Sequence, residues 1–132
     1  MSRNAKTTIE VDACRANLRA LYKQRQQARE HRRASARQAL RAAANAVFPR
    51  FPGVHRAYLF GSVLYPGAFR SSSDVDVAVE GQLSAEEFFA VWRELEQAAA
   101  GWLIDLVELD KDVHFSRRVR EKGELVYQTA YV

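Results

Sequence analysis

The sequence predicts an α/β (α+β) protein: a small mixed β-sheet flanked by helices, preceded by a long N-terminal helical extension. Three observations predict it. Residues Thr7 to Phe48 contain neither Gly nor Pro and are dominated by Ala, Arg, Leu and Gln, all strong helix formers. After residue 50, short β-branched and aromatic runs that end at glycines alternate with stretches of helical periodicity. A chain of 132 residues, 48% of them hydrophobic, has room for one core and not for two ordinary domains.

The elements follow in order. Leu18, Leu21, Tyr22, Ala28, Ala36, Ala39, Leu40, Ala43, Val47 and Phe48 recur at three- and four-residue steps, as one helical face does. The middle, KQRQQAREHRRASAR, has almost no large apolar residue, so the segment reads as one helix or as two broken near Glu30–Ser35. Its second half, about Ala34 to Phe48, is the part expected to dock on a core. PRFPG ends it, because proline cannot continue a helix. VHRAYLF, stopped by Gly61, reads as a strand and YPGAFRSSS as a loop. In DVDVAVE, Val75, Val77 and Val79 point one way while Asp74, Asp76 and Ala78 point the other. SAEEFFAVWRELEQAAAG is the best-marked helix, with a Ser84/Glu87 capping box and a stripe of Phe88, Trp92, Leu95 and Ala99. Phe89 reads as a core residue with them. WLIDLVEL alternates loosely and is expected to be a strand buried on both faces. VHFSRRVREKG reads as a short basic helix stopped by Gly123, and ELVYQTAYV as a terminal strand or a tail. The division expected is a basic helical extension over 1–33 and a folded domain over 34–132.

Charge is unevenly spread. Residues 1–50 hold twelve Lys/Arg against three Asp/Glu, whereas the rest hold eight against thirteen. An acidic partner for the front of the chain, or a contact between front and back, would use that asymmetry. A charge run is also the ordinary composition of a solvated helix face. No apolar run is long enough to cross a bilayer, and the first residues lack the apolar stretch of a secretory signal. Cys14 is the only cysteine, and the three histidines are scattered, so neither a disulfide nor a Cys/His metal site is expected. A cytoplasmic location follows as the expectation.

The chemistry sits in FGSVLYPGAFRSSSDVDVAVE. An unpaired carboxylate in a buried strand costs several kcal/mol, so Asp74 and Asp76 need a partner. Strand alternation puts both on one face, where two like charges share a proton or hold a cation such as Mg²⁺. Asp105 interrupts a later apolar strand in the same way. Gly61 lets a ligand approach the backbone, and Ser62 adds a hydroxyl and an N–H where a turn begins, a corner suited to phosphate oxygens. The plainer readings are a surface strand or Asx turn for Asp74 and Asp76, and an arginine-paired edge carboxylate for Asp105.

Taken together, YLFGS, SDVDVAVEG, IDLVEL and EKGELVY resemble the minimal nucleotidyltransferases of the polymerase-β superfamily, over roughly Arg37 to Tyr127. Their pattern is an apolar strand ending in Gly-Ser, a spacer, Asp-x-Asp and a third Asp. Here the spacer between Ser62 and Asp74 has eleven residues where ten is commonest, as a one-residue loop insertion would give. The Ala-Arg-Gly that often follows Gly-Ser is replaced by VLYPG, and Arg70 is the candidate for the missing cation.

The resemblance implies a polymerase-β-like fold in which Asp74, Asp76 and Asp105 bind two Mg²⁺ ions. Asp105 would also orient or deprotonate the attacking hydroxyl, and Gly61, Ser62 and Arg70 would hold the phosphates of ATP. It further implies an antitoxin that transfers AMP to a tyrosine of a HEPN-domain ribonuclease toxin, and so a hetero-oligomer. A binding-only antitoxin and a nucleotidyltransferase acting on a small molecule or an RNA end are the alternatives. The basic N-terminal helix could serve a toxin surface or nucleic acid; no membrane partner is expected.

Overall fold

The computed structural model describes residues 2–109 and 112–130, with side chains from Thr7 onward. Met1, Tyr131 and Val132, the outermost residues of the two anticipated end segments, lie outside the described residues. One uninterrupted helix, α1 (Ser2–Val47), answers the question of one helix or two: Glu30–Ser35 contains no residue that breaks a helix. A 3₁₀ turn at Phe48–Arg50, carrying Pro49, redirects the chain into β1 (Val54–Phe60). Then follow a 3₁₀ turn at Gly61–Leu64, β2 (Val75–Gly81), α2 (Ala85–Ala98), β3 (Ile104–Glu108), α3 (Val113–Lys122) and β4 (Glu124–Gln128).

The four strands lie in the order β3-β2-β1-β4. β1 pairs antiparallel with β2 and β4, while β2 and β3, joined through α2, are parallel. The two faces of this mixed sheet are covered unequally. Against one face, Ala57, Leu59, Val75, Val77, Val79, Ile104 and Leu106 pack with Leu40, Ala43, Ala44, Val47 and Phe48 of the α1 end and with Val91 and Leu95 of α2. Against the other, Tyr58 and Ala78 form a smaller cluster with Leu109 and Val119, with Phe60, Val107 and Phe115 around them. The thinly covered face also carries Asp76, which stands two residues before Ala78.

Burial corrects two expectations. β3 is buried on one face only: Ile104 and Leu106 are buried, whereas Asp105 and Glu108 are exposed. It is one of the two edge strands, and Asp105 lies on the thinly covered face, two residues from Val107. Phe89 is 60% exposed and stacks on Trp92 instead of entering the core, because Val91 and Leu95 define the inward face of α2. The capping box on α2 is present in both directions.

Glu124, the first residue of β4, accepts hydrogen bonds from both Arg37 and Arg41, so it ties α1 to the sheet edge. Arg41 and, with it, Arg37 hold the Glu124 carboxyl below the usual glutamate range against the opposing effect of burial. A carboxylate favoured in this way adds stability above the unfolded-state pKa, and that gain disappears as pH falls through the lowered folded value. Glu124→Gln is therefore expected to cost about 1–2 kcal/mol in urea denaturation at pH 7. The difference from the wild type should shrink toward pH 3.

Candidate active site

β1 delivers Phe60 opposite Asp76, so Gly61 emerges beside that carboxylate. Gly61 has φ +75, and a Cβ there would overlap Asp76 Oδ2, so the turn closes against the acid only because the residue is glycine. Ser62 is half-buried in the same 3₁₀ turn, and its carbonyl accepts from Tyr65 N–H at 3.1 Å. The loop then runs out over Tyr65–Ser73 and returns through a tight turn in which Ser73 Oγ accepts from Arg70 N–H at 2.9 Å. Asp74 follows, exposed and one residue ahead of β2.

The parallel register places Asp105 of β3 directly beside Asp76 of β2. Burial first, then Asp105, then Asp74, push the Asp76 carboxyl up to about 6. The three aspartates are thus electrostatically coupled and together oppose a negative charge on the central one. Among the described residues, Glu30, Glu80, Glu94 and Glu124 all stand in ion pairs with arginine, but Asp74, Asp76 and Asp105 stand in none. The plainer reading of Asp105 as an arginine-paired edge carboxylate therefore finds no support.

Three hard oxygen donors with no cationic partner, one of them forced toward protonation, have the chemistry of a divalent-cation site. No group of three His, Cys, Asp or Glu side chains among the described residues is placed to hold one ion as it stands. The donors fit a cation such as Mg²⁺, which takes one or two protein carboxylates and completes its sphere with phosphate oxygens and water.

Arg70 is exposed on the loop, and no partner for its guanidinium is found among the described residues. The structure brings other cations to Gly61. A cleft of about 340 Å³ opens between the Gly61 turn and α3, lined by Phe60, Gly61, Tyr65, Phe115, Arg118 and Lys122 among others. Arg118 and Lys122 lie four residues apart on one face of α3, the spacing that puts two side chains on the same side of a helix. Sequence reading assigned them only to a basic helix. The i,i+4 pair was visible, but its direction depends on how α3 crosses the sheet.

α1 also reaches the site. Glu30 Oε1 accepts from Gly67 N–H at 3.0 Å, Arg33 donates to Val63 O at 3.1 Å, and Arg32 donates to Ser71 O at 3.3 Å. Arg33 and Glu30 are themselves paired, and Arg32 lies over the Trp102 ring at 4.6 Å from its centroid. Three backbone groups of the loop between Gly61 and Asp74 are thereby satisfied by one helical turn of α1.

The family model described as "Polymerase beta, Nucleotidyltransferase" matches residues 43–131, from the last turn of α1 through β4. The chain belongs to this nucleotidyltransferase family. No curated protein matches the sequence. Among solved structures the nucleotidyltransferase fold is similar to a toxin–antitoxin crystallised with AMP-PNP (TM-score 0.56, 23% identity, 69% of this chain and 75% of that one). It is also similar to the Shewanella oneidensis complex of a tri-AMPylated HEPN toxin with its MNT antitoxin (TM-score 0.51, 21% identity, 73% of this chain and 75% of that one). A third similar structure is a MntA-HepT toxin–antitoxin (TM-score 0.51, 20% identity, 72% and 74%). These likenesses establish a shared fold. Among the described residues, no helix of this nucleotidyltransferase is long and apolar enough to cross a membrane.

Proposed function

We propose that the protein transfers AMP from ATP to a tyrosine of a partner HEPN ribonuclease toxin and acts as its antitoxin. The observation that carries the catalytic half is the Asp76–Asp105 register pair facing the Gly61 turn, in a chain of the polymerase beta nucleotidyltransferase family. The partner is supported by similar structures, which include a MNT antitoxin complexed with an AMPylated HEPN toxin. In this reading residues 34–132 are the nucleotidyltransferase domain and 1–33 a helical extension of it.

In the proposed reaction, the tyrosine hydroxyl oxygen bonds to the α-phosphorus of ATP and the bond to pyrophosphate breaks. Asp105, exposed on the edge strand β3, orients that hydroxyl and accepts its proton in this reading. Asp74, Asp76 and Asp105 would hold the two Mg²⁺ ions, which when bound neutralise charge on the triphosphate and favour in-line displacement. Ser62 and the Gly61 backbone bind β- and γ-phosphate oxygens, while Arg118 and Lys122 attract the triphosphate from across the cleft. Arg70 is a further candidate phosphate ligand.

Arg118→Ala/Lys122→Ala is expected to weaken ATP binding about 10- to 100-fold by calorimetry, as loss of two charge-assisted contacts would. Both side chains are exposed, so the melting temperature should hardly move.

The decisive test is co-expression with a HEPN-domain protein encoded beside the gene, supplied with ATP labelled on the α-phosphate. Label is expected on the partner and should vanish with Asp74→Ala or Asp76→Ala. Unchanged label in both variants would refute the site. Neutralisation of the toxin by the double variant would mark a binding-only antitoxin, and label on RNA or a small molecule would mark a different acceptor.

A further inference from the structure

Residues 7–29 of α1 are exposed on every side, a stretch of about 35 Å that touches little of the folded body. An isolated helix has no reason to carry large apolar side chains, yet this one does. Ile9, 69% exposed, lies on the far side of the helix, but Val11, Leu18, Leu21 and Tyr22, which are 43%, 60%, 49% and 63% exposed, do not. At 100° per residue these four and Cys14 fall within roughly a third of the circumference, the width of a core-facing stripe. Beside the stripe Arg15, Arg19 and Lys23 form a ridge at four-residue spacing, and Arg25 and Arg29 prolong the stripe toward the domain.

We infer that this face is a docking surface for a partner protein that presents an acidic amphipathic helix: an apolar seam flanked by Asp or Glu. Charge selects that occupant. Over residues 7–29 five Lys/Arg stand against only Glu10 and Asp12, so a second copy would bring cation against cation along the seam. Nucleic acid would engage the ridge but leave Val11, Leu18, Leu21 and Tyr22 in water. An acidic helix satisfies both the seam and the ridge, in the manner of helix-on-helix recognition. The surface runs without a break into the active-site loop. A second cleft, of about 220 Å³, is lined by Gln26, Arg29 and Glu30 of α1 and by Pro66 and Gly67 of that loop. A partner seated on the stripe therefore lies alongside the turn of α1 that holds the loop. The inference concerns association alone and stands whether or not the site transfers AMP.

Cys14 is the only cysteine, exposed and within the stripe, and so reports on coverage directly. The test measures its alkylation rate in the full chain by intact mass. The probes are two synthetic helical peptides with the same leucine seam, one flanked by Glu and the other by Lys, and a 30-base-pair DNA duplex. The Glu peptide in about tenfold excess over its Kd should slow alkylation roughly tenfold. Leu18→Ser/Leu21→Ser and, separately, Arg15→Glu/Arg19→Glu should abolish that protection without altering the circular dichroism, since all four side chains are exposed. No slowing by the Glu peptide, equal slowing by the Lys peptide or the duplex, or protection that persists in both variants would overturn the inference. Slowing that grows with chain concentration alone would overturn it in favour of self-association.

Discussion

Asp76→Asn should abolish nucleotidyl transfer and at the same time make the ligand-free protein more stable. Loss of activity on the order of a thousandfold or more is expected, because the central carboxylate of the site becomes a neutral amide that binds Mg²⁺ poorly. The gain in stability comes from the same side chain. Burial, Asp105 and Asp74 push its carboxyl up to about 6, so the folded state binds a proton that the unfolded state releases near pH 4. Between those values stability falls as pH rises, and by pH 7 the full penalty is present. The upward shift corresponds to about 3 kcal/mol, and with solvent screening of a partly exposed group about 1–2 kcal/mol. Scanning calorimetry without divalent ions should find the variant melting about 3–8 °C higher at pH 7 and close to the wild type at pH 4. Equal melting at pH 7 would mean that neither burial nor the neighbouring aspartates penalise the Asp76 charge.

Gly61→Ala should be the most damaging single-methyl change in the site. A non-glycine residue at φ +75 costs about 1–2 kcal/mol, and the new Cβ would overlap the Asp76 carboxylate. Relief requires Asp76 to turn from its place beside Asp105 or the phosphate turn to shift. Displacement of reacting groups by about 1 Å costs roughly a hundredfold in rate, and that is the loss expected here. Gly67→Ala is the control. Gly67 also has a positive φ, +80, but a Cβ there meets nothing within 4 Å, so only the backbone cost applies. Steady-state kinetics should find Gly67→Ala within about threefold of the wild type. Comparable losses in the two variants would remove the overlap with Asp76 as the cause.

Much of this site was legible in the chain because its signals are local or periodic. Asp74 and Asp76 announce themselves as charges among alternating valines, and Gly61 stops an apolar run. Asp105 was found as a third misplaced charge, although only the parallel register of β2 and β3 sets it beside Asp76. Features made by crossings between distant elements were not legible. The single-sided burial of β3 follows from the thin cover on one face of the sheet, which the packing of distant elements decides. Arg118 and Lys122 reach the Gly61 cleft because of the path of α3 over the sheet, while Arg70, closer in sequence, points to no described partner. The hold of Glu30, Arg32 and Arg33 on the loop spans thirty residues of sequence or more; the charge asymmetry suited a contact between front and back but did not say which groups would meet. Phe89 was misjudged because an aromatic beside an apolar stripe has the same composition whether it packs inward or stacks on the helix surface.

The central claim is that the three aspartates and the Gly61–Ser62 turn bind a nucleotide through a divalent cation. Titration of ATP into the full chain by calorimetry, with Mg²⁺ and again with excess EDTA, tests it most directly. Binding is expected with Mg²⁺ and should be lost in EDTA and in Asp74→Asn/Asp76→Asn. ATP binding of equal affinity with and without Mg²⁺, or undiminished in the double variant, would contradict it.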